Sequence, residues 1–91
     1  MGAEWFEVVA YGDIPEEAFV DAVDQARYDY GHRGYTGTIA EKSDYTLVKK
    51  SEDEEAYDFS ERTGIGDDKW GPCCCAKIGD KKYLFFGWSP C

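Results

Sequence analysis

This chain predicts a single small α+β domain over residues 1–91: an antiparallel sheet of about four to five strands, with one main helix at about residues 14–30 on one face. Three observations lead there. An apolar stripe with spacings of three and four runs from Phe19 to Tyr30, as one face of a helix requires. Strand-like runs come in two close pairs separated by turn residues, and close pairs imply antiparallel neighbours. A chain of 91 residues with 43% hydrophobic and 16% aromatic content can bury one core and has no room for a second.

The expected order is β-α-β-β-(α)-β-β. Glu4 to Tyr11 is rich in β-branched and aromatic residues and closes on Gly12-Asp13, a strand ending in a turn. Asp13 can cap the following helix, Pro15 suits its first turn, and Glu16 stands where a capping box needs it. Phe19, Ala22, Val23, Ala26 and Tyr30 form the apolar stripe, opposite Glu17, Asp21 and Asp24, with Asp29 beyond. Gly31 can supply the left-handed residue that ends the helix. Tyr35 to Glu41 is expected as a strand, Ser43-Asp44 as a turn and Tyr45 to Lys49 as its hairpin partner. Residues 51–62, SEDEEAYDFSER, lean toward a short acidic helix because Ser51 and Glu54 match a capping box. Cys73 to Ile78 and Tyr83 to Trp88 flank Gly79-Asp80-Lys81-Lys82 as a second hairpin.

Charge narrows the function classes. The chain carries a net charge of −9, and the acids are segregated into residues 1–30 and 51–68, each at −7. Residues 31–50 and 69–91 are mildly basic, at +2 and +3. Such a surface repels a nucleic-acid backbone at long range, so direct nucleic-acid binding is disfavoured and a basic protein partner is attracted. No apolar run approaches a membrane span, and MGAEWFEVV lacks a basic region followed by an apolar one. The expectation is a cytoplasmic protein with no membrane role.

GHRGYTGTIAEK, residues 31–42, concentrates glycine and polar groups. A phosphate-cradling loop feeds glycines from a strand into a helix amino terminus, whereas here they are expected between a helix carboxyl end and a strand. The simplest reading is therefore that Gly31 ends the helix, Gly34 turns the chain and Gly37 lets a bulky side chain cross the sheet. A sharper reading makes the segment a binding edge. His32 alone is not assigned a catalytic role, and no catalytic residue is expected elsewhere.

Cys73, Cys74, Cys75 and Cys91 give the number of thiols that a structural zinc site takes, but the paired C-x₂-C spacing is absent. No metal and no cofactor is expected. Alternation along a strand would bury either Cys74 or the pair Cys73 and Cys75. Among the many aromatic residues, Tyr35, Tyr57 and Trp70 lie in or beside irregular segments and are candidate surface anchors or stacking platforms.

The combination of ARYDYGH, GYTGTIAEK, DDKWGP and YLFFGWSPC with an aromatic first strand resembles a family of small, functionally uncharacterised proteins encoded by tailed bacteriophages. The resemblance spans nearly the whole chain, with GYTGTIAEK its most specific part. It carries no catalytic or binding residue over. It implies a short non-structural accessory protein in the cytoplasm of an infected host cell, where many such proteins bind and disable a host factor.

Two functional expectations follow. In the first, a non-enzymatic inhibitor docks on a basic host protein through Glu17, Asp21 and Asp24, with Glu52, Asp53, Glu54, Glu55 and Asp58. In the alternative, a nucleotide signal is sequestered by His32, Arg33, Tyr35, Thr36, Lys42 and Trp70: the cations meet phosphate and a ring stacks on the base. An exposed strand edge, such as the carboxyl-terminal one, leaves a homodimer open.

Overall fold

The computed structural model describes residues 2–30 and 36–91. Its elements are β1 (Ala3–Tyr11), α1 (Pro15–Tyr30), a 3₁₀ turn (Ile39–Glu41), β2 (Tyr45–Val48), α2 (Ala56–Thr63), β3 (Cys73–Gly79) and β4 (Lys82–Pro90). The four strands form one mixed sheet in the order β1-β4-β3-β2. β4 runs antiparallel to both neighbours, while β2 pairs parallel with β3, from Tyr45 opposite Cys73 to Val48 opposite Ala76.

α1 forms as its sequence signals require. Pro15 takes the first helical position, and the Glu17 carboxylate accepts the Asp13 amide at 3.1 Å. Glu17 replaces Glu16 in this capping contact because it is the third residue of a helix that starts at Pro15. Ala18, Phe19, Ala22, Val23 and Ala26 are buried, whereas Tyr30 is exposed. Phe19 seats its ring 5.1 Å from Tyr45 and 5.7 Å from Phe85.

The expected strand over residues 35–41 is replaced, from Thr36 on, by a compact turn; Tyr35 lies outside the described residues. Gly37 holds a left-handed φ of 70°, incompatible with an extended run. The Thr38 hydroxyl caps the 3₁₀ turn by accepting the Ala40 amide, and Glu41 accepts both the amide and the hydroxyl of Thr36. The hairpin expected with Tyr45–Lys49 therefore does not form, and β2 finds β3 instead. Residues 49–72 provide the long connection that a parallel pair needs.

That crossover puts α2 on the face opposite α1, so the sheet is covered on both sides rather than one. Phe6, Val8, Cys73, Cys75, Tyr83 and Phe85 pack toward α1. Trp5, Val48, Cys74, Ala76, Leu84 and Phe86 pack toward α2, whose Phe59 stands edge-on to Phe86 at 5.9 Å. Alternation on β3 was expected to bury Cys74 or the pair beside it. Because both faces are covered, all three cysteines are buried, and β3 begins as a run of small apolar residues. α2 starts at Ala56 rather than Ser51, since Ser51 turns the chain instead: its hydroxyl accepts the Asp53 amide and its carbonyl the Glu54 amide. The β3–β4 hairpin forms as the sequence indicates, around Asp80 and Lys81.

Candidate functional site

The acidic run is held outward by a small internal scaffold. Arg62, in the last turn of α2, grips Glu54 with two bonds of 2.9 and 3.0 Å. Lys50 donates to the carbonyls of Ser51 and Glu54 at 3.0 and 2.8 Å. The Arg62 hydrogen bond holds the Glu54 carboxyl below the usual range. Glu54 is thus a structural clasp, while Glu52, Asp53, Glu55 and Asp58 are exposed and no ion pair among the described residues engages them. This loop crosses the α2 face as far as β1, forming an open cleft of about 390 Å³ lined by the acids Glu7, Glu52, Asp53, Glu54 and Glu55 and by Leu84, with Lys50 its one cation.

Glu17, Asp21 and Asp24 lie elsewhere. They edge a shallow depression on α1 together with Ile14 and Val20, which are both exposed. Since α1 and α2 cover opposite faces, the two acidic groups form two surfaces in separate layers. One flat partner cannot lie on both.

Of the alternative set, His32, Arg33 and Tyr35 lie outside the described residues. Thr36 is bonded within its turn, 2.7 Å from the Thr38 hydroxyl and 2.9 Å from Glu41. Lys42 points inward. Only 4% exposed, it donates to the carbonyls of Asp68, Lys69 and Gly71 at 3.4, 3.1 and 2.8 Å. Desolvation lowers its pKa from the ordinary value, an effect opposed by the nearby Cys73 and Asp68. Lys42 and the loop of residues 68–71 are thereby clamped together, with Trp70 60% exposed on the clamped loop. Structure thus brings Lys42 and Trp70 into one locality, with the ammonium buried against the loop and the indole exposed on it.

Tyr57 is 40% exposed and stands edge-on to Trp5 at 5.2 Å and Trp88 at 6.1 Å. Trp5 donates its indole N–H to Glu7 at 2.7 Å, which ties this aromatic group to the acidic cleft. Glu7 was missing from the expected acidic set because it lies in a strand far along the chain from residues 51–58. Only the crossover of residues 49–55 brings them together.

The thiols fall into two classes. Burial pushes Cys73 and Cys75 up to about 12 and Cys74 to about 11, so these three stay protonated near neutrality. Cys91 is exposed at the end of the chain. Among the described residues, no three His, Cys, Asp or Glu side chains are grouped to hold a metal ion. None of the described helices is long and apolar enough to cross a membrane. In comparisons with family models, curated proteins and solved structures, the chain matches none of them.

Proposed function

We propose that this chain is a non-enzymatic binding protein that docks its acidic surface on a basic surface of another protein and inhibits it by competition. The observation that carries this reading is the loop at residues 51–58. Glu54 is clasped by Arg62 while Glu52, Asp53 and Glu55 face solvent beside Glu7, with Asp58 exposed further along, on a chain of net charge −9. A fixed array of unpaired carboxylates steers a basic partner and sets its orientation. On the resemblance to small tailed-phage proteins, that partner is a nucleic-acid-binding or defence factor of the host cell. Glu17, Asp21 and Asp24 add to the attracting field from the other layer.

Affinity capture from host lysate, with mass spectrometry of what elutes at low and high salt, tests this reading. The expected result is one stoichiometric protein released by salt. Retention that is indifferent to salt, or no retained protein, would remove it.

The alternative is a small anionic ligand held around residues 31–42. The Trp70 ring favours it, since an aromatic face 60% exposed on a clamped loop, with the Lys69 ammonium 5.5 Å from its centroid, can stack on a base beside a cation. Lys42 weighs against it, because its ammonium already has three carbonyl acceptors. Melting temperatures unmoved by nucleotides in both the parent and Trp70→Ala would end this reading.

A further inference from the structure

β1 is an open edge. Its nine residues pair with β4 in unbroken register from Ala3 opposite Pro90 to Tyr11 opposite Lys82, and among the described residues no strand lies on its other side. Alternate N–H and C=O groups along it therefore point away from the sheet. Open edges are commonly guarded by proline, lysine or a bulge, and this strand has none of them. Its only charges are Glu4 and Glu7.

The surfaces on either side of this edge differ. Toward α1, Phe6 and Val8 are only half-buried and border a groove of about 190 Å³ with Ala22, Ala26 and Ile39, which Gln25 and Asp29 also line. Toward α2, the edge meets Glu7 and the acidic cleft, with Val9 42% and Tyr11 62% exposed. A strand laid against β1 would turn successive side chains alternately to these two surfaces.

We infer that the β1 edge accepts an extended segment of the partner protein in which apolar residues alternate with lysine or arginine. The apolar residues complete the burial of Phe6 and Val8, the cations meet Glu7, Glu52, Asp53 and Glu55, and the backbone pairs with β1. This rests on the acidic-docking reading and adds to it a mode, strand addition, and a sequence pattern. Charge complementarity selects this occupant over a second copy. Two-fold antiparallel pairing of β1 centred near its middle sets Glu4 and Glu7 of one copy among those of the other, between chains of −9 each.

The probe is a blocked nonapeptide of alternating valine and lysine, titrated into the full chain by calorimetry, with hydrogen exchange of the β1 amides. Its controls are a block-order peptide of the same composition and two N-methylated versions, one for each alternate set of amides. The alternating peptide is expected to bind about tenfold tighter than the block-order one and to slow exchange of the outward β1 amides. One N-methylated version should lose binding and the other keep it. Glu7→Lys should weaken binding about tenfold, while Asp44→Lys, beside β2 at the sheet edge farthest from β1, leaves it nearly unchanged.

Equal, salt-sensitive binding of the block-order and both N-methylated peptides would overturn strand addition and leave acidic docking standing. Binding by no peptide would also overturn it. So would β1 amides already protected in the free protein in proportion to its concentration, which would place a second copy on the edge.

Discussion

Lys42 brings a positive charge into the interior because three carbonyls converge on it, and those carbonyls have most to lose without it. Lys42→Met keeps the apolar stem but leaves Asp68, Lys69 and Gly71 without their donor, at a cost of about 1–3 kcal/mol. Chemical denaturation checks this value. The thiols give a second expectation. Cys73, Cys74 and Cys75 ionise near 9.0 when unfolded but near 11 to 12 when folded, because burial disfavours the thiolate. Below pH 9 both states keep these protons, so the stabilisation is complete there. Above it the unfolded chain ionises first, and stability is lost as pH rises toward the folded values. Melting temperature should accordingly fall between about pH 9 and about pH 11, less steeply in Cys75→Ala. At neutral pH a thiol reagent should modify Cys91 promptly in the native protein, and the three buried cysteines only after denaturation.

α2 and its crossover decide which face of the sheet exists as a second core. Phe59 is the main apolar contact that α2 makes with Phe86, so Phe59→Ala should cost about 3–5 kcal/mol and expose Cys74 to thiol reagents. Gly87, at φ 153°, lets the Gly66 carbonyl cross β4 closely enough to accept the Trp88 amide at 3.1 Å. A Cβ there would lie 3.2 Å from that carbonyl in a strained backbone conformation, so Gly87→Ala should cost about 1–3 kcal/mol in denaturant melts. α1 and the β3–β4 hairpin were legible in the sequence because their signals are local: a spaced apolar stripe after Pro15, and two β-rich runs around Asp80-Lys81. The partner of β2 was not. Tyr45–Val48 carries no mark of which strand it will pair with, and residues 36–41 look like a strand until Gly37, Thr38 and Glu41 are seen closing a turn. The exposed position of the acids at 52–58 could be read from composition, but the clasp of Arg62 on Glu54 and the approach of Glu7 depend on tertiary packing.

At the scale of the whole molecule, a mixed sheet between two helical layers separates the negative charge into two surfaces, and only the one on the α2 side has a clasped loop, a cleft and an open strand edge together. Binding should therefore be sensitive to charge on that side and to ionic strength, while charge changes on α1 act more weakly, through the long-range field. The most direct measurement is the affinity of the captured partner for the parent and for a triple variant, Glu52→Lys, Asp53→Lys and Glu55→Lys, at low and high salt, with both proteins shown to melt alike. Loss of partner binding by the triple variant at low salt, together with weakening of the parent at high salt, is the expected result. Equal affinity of the two proteins, unaffected by salt, would contradict docking through the acidic loop.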